Sequence, residues 1–184
     1  MAVRLIQTNE GGGIYIITFT CDGWKPSFQQ ANACNAVYKW FDCLTGKRAG
    51  IIGYVIMPNH LHALVHLPAV FKTPNAAVAN AKRFLSYEIV RRLEAQGAEP
   101  LLQDLHAAVK KREARKGQIH RVFEESFDGK PCCSAAFMEQ KLACMHHNPV
   151  KGNGTWWKTL RCTRIAVQDF ILEQGRRCIK SWCG

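Results

Sequence analysis

The chain has 184 residues, of which 47% are hydrophobic, so its composition excludes a wholly disordered polypeptide and predicts a single domain over residues 1–184. The 25 Lys and Arg outnumber the 14 Asp and Glu and give a formal charge of +11, which favours a polyanionic partner, most often nucleic acid. No apolar run reaches the roughly 20 residues that cross a bilayer, and the N-terminus lacks a secretory apolar region. We therefore expect a soluble, cytoplasmic protein with no membrane partner.

Nine cysteines are spread along the chain, and we expect them to be reduced thiols. An odd number of cysteines without a signal peptide is atypical of a disulfide scaffold. The adjacent pair Cys132 and Cys133 lacks the two-residue spacing of zinc-finger ligands.

The first half of the chain alternates between strand and helix patterns. Residues 14–20 are β-branched and aromatic and predict a strand, whereas residues 29–44 carry apolar side chains at helical spacing and predict one helix. Two extended segments follow, at 50–57 and 60–67. Pro58 lies between them and predicts a bend or bulge, because proline cannot donate to a sheet ladder.

The second half contains two predicted helices on either side of an irregular region, residues 97–131. Residues 75–95 predict a helix with a regular apolar stripe, and residues 134–148 predict another, which Pro149 ends. This order of elements predicts an α+β domain with an antiparallel, ferredoxin-like or RRM-like sheet and helices packed on one face. The stripe of the first helix consists of Val78, Ala81, Leu85, Ile89 and Leu93.

Clustered cations mark a possible binding surface. Lys82 and Arg83 lie beside the apolar stripe of the helix at 75–95, and a basic run with one acid, Glu113, occupies residues 110–121. Such a run is either a solvated surface or a phosphate-contacting one, and both interpretations stay open. The candidate nucleic-acid contacts are Lys82, Arg83, Lys110, Lys111, Arg112, Arg115 and Lys116.

The histidines of the segment His60-Leu61-His62 are candidate metal ligands. Residues i and i+2 of a strand project to the same face, so both imidazoles can converge on one ion while Leu61 faces the core. The alternative is that both histidines lie on a solvated strand face without a ligand. His66 has the same parity and is interpreted as a surface or supporting residue.

Two motifs in fixed order identify a family resemblance. MPNHLH at residues 57–62 and HNPV at 147–150 resemble the motifs of single-tyrosine HUH transposases, in particular the subgroup associated with repetitive extragenic palindromes (REP). The resemblance covers residues 14–150. It includes the opening strand, the segment NAKRFLSY at 80–87 and the segment 139–150, which resembles the catalytic helix of the family. The tryptophan-rich basic tail, residues 151–184, keeps little of the family pattern.

The resemblance implies a transposase-like protein that binds single-stranded DNA hairpins and nicks and joins strands through a covalent protein–DNA intermediate. It also implies a divalent metal, Mg²⁺ or Mn²⁺, held by His60, His62 and Asn148. The metal ion polarises the scissile phosphate. Some relatives act as homodimers, so a homodimer is a further expectation.

The sequence departs from the family at the nucleophile, because Cys144 occupies the position of the catalytic tyrosine. Three alternatives follow: Cys144 is an unusual nucleophile, one of the four tyrosines (Tyr87 first) replaces it, or the protein binds DNA without cutting it. In the last case Cys144 is simply a small buried hydrophobe. An RNA-binding module is a further alternative that charge and fold alone allow.

Overall fold

The computed structural model describes residues 12–71, 73–147 and 163–164. Five strands form one antiparallel sheet in the order β4-β1-β3-β2-β5. The strands are β1 (Gly12–Thr20), β2 (Gly50–Ile56), β3 (His60–Pro68), β4 (Asp128–Pro131) and β5 (Thr163–Arg164). The helices are α1 (Ser27–Gln30), α2 (Cys34–Thr45), α3 (Pro74–Ala95), α4 (Glu99–Ala107), α5 (Lys111–Ala114) and α6 (Ala135–His147), with a 3₁₀ turn at Asp22–Trp24.

The first four strands and helices α2 and α3 follow the order β-α-β-β-α-β with the sheet order 4-1-3-2, which is the ferredoxin-like arrangement. The α+β class and the antiparallel sheet are therefore confirmed. The three long predicted strands and the helix at 75–95 are present within a residue or two of their expected ends. Pro58 and Asn59 form the turn of the β2–β3 hairpin, closed by a hydrogen bond from Met57 N to His60 O (2.8 Å).

The predicted single helix at 29–44 is wrong, because the chain forms two helices there. Asn32, between α1 and α2, has a φ of 47°, which a continuing right-handed helix does not allow. Its carbonyl accepts a hydrogen bond from Arg92 Nη1 of α3 (2.5 Å) instead of an intrahelical one. The break thus fastens the α1–α2 corner to α3.

The region 97–131 is more regular than the sequence predicts. It holds α4, the short helix α5 and the edge strand β4, which pairs with β1 from Tyr15↔Pro131 to Thr18↔Asp128. Helix α4 is fixed by burial of Leu101, Leu102 and Leu105. The cations of the basic run at positions 110–116 are exposed on and around α5, whereas Arg121 at the end of the run is buried.

The sheet is covered on both faces by separate apolar clusters. On one face, β1 and β3 contribute Phe19, Leu61 and their neighbours of the same parity to a large core with α1 to α4. On the other face, Ile16 and Leu64 belong to a smaller core with α6. The expectation that helices share one face holds for α2 and α3 and fails for α6. The residues of α6 in the smaller core are Met138, Leu142 and Met145.

Gly53 sets how closely α6 approaches the sheet. A Cβ atom at this position would lie 2.7 Å from Leu142 Cδ2. The same place in β2 carries a bulge, since the pairing with β3 shifts register between Ile51 and Gly53.

Within the described residues, no helix combines the length and the apolar composition that a membrane crossing requires.

Candidate metal and nucleic-acid site

His60 and His62 lie at the start of β3, on the sheet face that α6 covers. The alternation of the strand directs Leu61 and Ala63, both 0% exposed, into the large core and leaves the two imidazoles half-buried on the opposite face. The ring centroids of His60 and His62 are 4.7 Å apart and their planes are nearly perpendicular, at 85°. Two imidazoles at this separation can bind the same ion.

The Nδ1 atom of His60 is held by the residue before it. Asn59 Oδ1 lies 2.7 Å from His60 Nδ1, and Asn59 Nδ2 donates to the carbonyl of Trp24 at 3.2 Å. Because Nδ2 is the donor, Oδ1 must accept, and His60 therefore carries its proton on Nδ1. In that tautomer the lone pair of Nε2 is the one that can ligate a metal, as in many metal-binding histidines.

The Nδ1 atom of His62 is held by the neighbouring strand. Thr18 of β1 pairs with His62 across the sheet, and its Oγ1 lies 2.6 Å from His62 Nδ1. A hydroxyl can donate or accept, so this contact orients the ring under either tautomer. Ligation through Nε2 is again the arrangement that the contact supports.

The hairpin turn that precedes His60 is tied to the β1–α1 connection. Cys21 N donates to Asn59 O at 2.7 Å, and Phe28 N donates to Pro58 O at 3.0 Å. The indole of Trp24, 65% exposed, meets the ring of His60 edge to face with centroids 5.8 Å apart. These contacts fix the backbone from which the first imidazole projects.

Burial keeps both imidazoles neutral at physiological pH. Burial lowers the pKa of His60, and burial together with the neighbouring His60 lowers the pKa of His62 to about 4. Only a neutral imidazole can ligate a metal, so both rings are in the protonation state that ligation requires.

Helix α6, which packs on the sheet face of the imidazoles, carries Lys141 and Cys144. The positive charge of Lys141 contributes to the lowered pKa of His62, after burial and the neighbouring His60. Cys144 follows Lys141 by three residues, one turn further along the helix. Its side chain is exposed, so the interpretation of Cys144 as a buried hydrophobe is wrong. Asn148, the expected third ligand, lies outside the described residues.

All four tyrosines of the sequence lie on the α2/α3 side of the sheet. Tyr15 is buried in the large core, and Tyr38 and Tyr54 pack against it. Tyr87 is 73% exposed on α3, which packs on the face opposite to the imidazoles. The fold therefore brings no tyrosine of the chain to the histidine pair, and Tyr87 is not in position to replace the family nucleophile there.

The histidine pair fits part of a divalent metal site. Two neutral imidazoles with oriented Nδ1 atoms supply two nitrogen ligands, and octahedral metals such as Mn²⁺ accept imidazole together with oxygen ligands. Within residues 12–71 and 73–147, no group of three or more His, Cys, Asp or Glu side chains could hold a metal. Further ligands would have to come from Asn148, from water or from a bound phosphate.

The predicted nucleic-acid contacts differ in how their charges are used. Lys82 Nζ is half-buried and donates to the carbonyls of Glu124 (2.7 Å), Ser126 (2.8 Å) and Glu125 (3.3 Å). Burial lowers the pKa of Lys82 to about 8. Lys110 and Arg112 both pair with the Glu125 carboxylate. Four of the seven predicted contacts are exposed and have no ion pair among the described residues: Arg83, Lys111, Arg115 and Lys116.

The roles of several residues at this site could not be predicted from the sequence. Thr18 is recognisable only once the β1–β3 register is known, because it lies 44 residues from His62. Asn59 adjoins His60 in the motif, and its amide bond to Trp24 O depends on the folded hairpin. The sequence around Lys141 predicts a helix and gives no indication that this residue contributes to the site. The six described cysteines form no disulfide with one another, and the expectation of reduced thiols stays a prediction.

Comparisons with known proteins show a likeness of fold alone. No family model matches the sequence, and no curated protein does. A solved structure of a REP-associated tyrosine transposase bound to a REP hairpin superposes with a TM-score of 0.52 at 14% identity, over 83% of this chain and 75% of that one. A crystal structure of a putative transposase from Deinococcus radiodurans covers 80% of this chain and 95% of its own at 15% identity, but its TM-score of 0.36 supports no argument.

Proposed function

We propose that this chain is a transposase-like protein that binds single-stranded DNA hairpins at a divalent metal site on the α6 face of its sheet. The observation that carries the proposal is that His60, His62 and α6 share one sheet face, although they are far apart in sequence. The net charge of +11 supports a nucleic-acid ligand. So does the fold likeness to a transposase whose structure contains a REP hairpin.

The histidine pair would hold Mg²⁺ or Mn²⁺ through the Nε2 atoms, with Asn148 as the third protein ligand. When bound, such an ion polarises a phosphate oxygen and stabilises negative charge that develops on it. Asn59 and Thr18 keep the two rings oriented, and Lys141 adds a positive charge beside them. The residues of the chain thus create a site suited to one phosphate of a bound strand.

Strand cleavage at this site would use Cys144 as the nucleophile. Its thiol gives up a proton to solvent, the thiolate attacks the phosphorus and an S–P bond forms. The P–O3′ bond breaks, and the 3′-oxyanion that leaves takes a proton from solvent and becomes a 3′-hydroxyl. The DNA then stays attached to the protein through its 5′ phosphate. A second strand's 3′-hydroxyl can reverse the step and join the strands. The position of Cys144 on α6, the helix that packs on the face of the imidazoles, favours this assignment over the tyrosines, which all lie on the α2/α3 side.

The second candidate function is hairpin binding without cleavage. Two observations favour it: all four tyrosines lie on the α2/α3 side of the sheet, and the cysteine side chain is much shorter than the phenol it replaces. A nucleophile displaced from the reacting phosphorus loses rate steeply, because reaction needs near-contact geometry. The protein would then be a DNA-binding descendant of a transposase.

One experiment separates these possibilities. A labelled single-stranded DNA hairpin with an unpaired flank is incubated with Mn²⁺ and each variant, and both affinity and denaturant-resistant adduct are measured. An adduct absent in Cys144→Ser and retained in the matched control Cys133→Ser supports cleavage by Cys144. Hairpin binding without an adduct supports the second candidate. No salt-sensitive binding of the hairpin by the wild-type protein contradicts both.

The metal site has its own test. We expect His60→Ala combined with His62→Ala to abolish Mn²⁺ binding, measured by electron paramagnetic resonance of the free ion. His106→Ala, an exposed histidine outside the site, serves as the control. Unchanged Mn²⁺ binding in the double variant would contradict the assignment.

The hydrogen bond to Thr18 gives a graded prediction for the same measurement. Thr18→Val removes the hydroxyl that orients His62, and removal of such a supporting group weakens metal binding by about 10- to 100-fold. Thr18→Ser keeps the hydroxyl and should restore most of the affinity. Equal weakening in both variants would show that the methyl packing of Thr18, and not its hydroxyl, matters.

A further inference from the structure

A groove of about 830 Å³ lies between the outer side of α3 and the segment 113–125. It belongs to the α2/α3 side of the sheet and is therefore separate from the histidine pair. Lys82, Arg83 and Tyr87 of α3 line one wall, and Lys116 and Ile119 line the other.

The walls of the groove are fixed to each other. Lys82 reaches from α3 to the carbonyls of residues 124–126, as described above. Arg121, 4% exposed, binds Asp22 (2.5 Å), Glu113 (3.2 Å) and Glu124 (3.4 Å). Lys82 thus ties the C-terminal end of the segment 113–125 to α3, and Arg121 braces the segment internally and to Asp22, so the groove is a built feature of the fold.

The charges left at the groove are mainly positive. Of the four carboxylates in the lining, Glu113 and Glu124 are paired with Arg121, and Glu125 is paired with Lys110 and Arg112. Glu94 alone has no ion pair among the described residues. Arg83 and Lys116 are exposed cations of the lining that also have no ion pair in the described part of the chain. The rim therefore suits an anionic ligand.

Large apolar side chains are exposed in the same groove. Tyr87 is 73% exposed and Ile119 is 63% exposed, although both line the cavity. An accessible aromatic ring between cations is the arrangement on which unpaired bases stack while the backbone phosphates contact the cations.

We propose that this groove binds an unpaired segment of single-stranded DNA, with a base stacked on Tyr87 and phosphates at Arg83 and Lys116. The inference rests on the proposed function in that it takes DNA as the ligand. It adds a second contact site on the face of the sheet opposite to the metal site. A hairpin with an unpaired flank would then engage both faces of the sheet.

The test compares a DNA hairpin that carries an unpaired flank with the same hairpin without it, by fluorescence anisotropy. Tyr87→Ala should weaken binding of the flanked hairpin by about 5- to 150-fold, the range for loss of one base–aromatic stack. Tyr87→Phe keeps the ring and should bind within about twofold of wild type. Because Tyr87 is exposed, neither variant should lower the melting temperature, which excludes misfolding as the cause.

The cations are tested by the salt dependence of the same binding. Arg83→Ala combined with Lys116→Ala should reduce the slope of log affinity against log salt by about 1.4, or about 0.7 for each phosphate that the protein no longer neutralises. Lys47→Ala removes an exposed lysine outside the groove and should leave the slope nearly unchanged. An unchanged slope in the double variant would overturn the assignment of these cations.

The outcomes separate this inference from the proposed function. If flanked hairpins bind and Tyr87→Ala binds equally well, the groove proposal is overturned while hairpin binding stands. If no hairpin binds at all, the proposed function has failed. Tighter binding of an RNA of the same sequence, abolished in Tyr87→Ala, would overturn the assignment to DNA.

Discussion

The two faces of the sheet differ in depth and in chemistry. On the α2/α3 face, aromatic residues such as Phe19, Phe28 and Trp40 interlock in a core that extends to α4. On the α6 face, a thin aliphatic cluster around Leu64 covers only part of the sheet, and the imidazoles of His60 and His62 stand beside it. The fold is stabilised mainly from one side, and the other side is available for polar chemistry.

The alternation of β3 explains how one strand serves both faces. Leu61, Ala63 and Val65 are fully buried on the α2/α3 side, so the strand is held in place without any contribution from its histidines. The half-buried imidazoles keep hydrogen bonds with Thr18 and Asn59, which offsets much of their desolvation. Substitutions in a binding site on the α6 side can therefore have little effect on the stability of the fold.

A matched pair of leucines tests this difference directly. Leu85→Ala opens a cavity in the large core and should lower the free energy of unfolding by about 3–5 kcal/mol. Leu142→Ala in α6 should lower it by about 2–3 kcal/mol, since the smaller core can collapse around the cavity. Urea denaturation measures both values. A larger loss for Leu142→Ala would contradict the comparison.

Arg121 is a buried cation that binds three carboxylates on the α2/α3 side of the sheet. Arg121→Met leaves the carboxylates of Asp22, Glu113 and Glu124 without their shared cation and should destabilise the fold by about 3 kcal/mol. The exposed Arg115→Met is its control and should change stability by less than about 0.5 kcal/mol. Thermal unfolding of both variants provides the measurement, and equal melting temperatures would refute the role of Arg121.

A smaller effect is expected where α6 meets the sheet. Gly53→Ala places a methyl against the end of the Leu142 side chain and should cost about 1 kcal/mol, because that side chain must repack. Gly46 has a right-handed helical conformation with ordinary space for a Cβ atom, so Gly46→Ala should stabilise by about 0.4–1 kcal/mol. Chemical denaturation measures the free energy of unfolding of both variants. A decrease for Gly53→Ala and an increase for Gly46→Ala would support close packing between α6 and the sheet.

Thiol reactivity distinguishes buried from exposed cysteines, with one buried thiol in the core on each face of the sheet. Burial raises the pKa of the Cys21 thiol to about 12 and that of Cys132 to about 11, so both should resist alkylation at pH 8. The exposed Cys43, Cys133 and Cys144 should be alkylated first, as mass spectrometry of iodoacetamide-treated protein would show. Slow labelling of Cys144 relative to Cys21 would contradict its position on the open flank of α6.

Local sequence patterns were sufficient to predict the main elements of the fold. The β-branched run of β1, the apolar stripe of α3 and the paired segments around Pro58 each carry a strong periodic or turn signal. The break at Asn32 was missed, because the apolar spacing continues through it and the interruption is stabilised by Arg92 from a distant helix. The edge strand β4 was missed because its four residues, Asp128–Pro131, carry no strand propensity and are ordered by pairing with β1.

The candidate site was predicted only in part, for a related reason. The strand alternation was enough to pair His60 with His62, but their hydrogen-bond partner Thr18 depends on a register set between strands 44 residues apart. The placement of α6 opposite α2 and α3 could not be predicted from its own sequence, because an apolar stripe shows that a helix packs and does not show on which face. Asn148 lies outside the described residues and stays a prediction.

The hydrogen bonds that fasten the Pro58–Asn59 turn have a thermodynamic consequence. Since Cys21 and Phe28 already hold this turn, the torsional freedom of the loop before His60 is lost during folding and not on ligation. An arriving cation would then lose little affinity to chain ordering, as in other preorganised receptors. Such a corner can discriminate among ions by coordination geometry, because its shape does not adjust to each one.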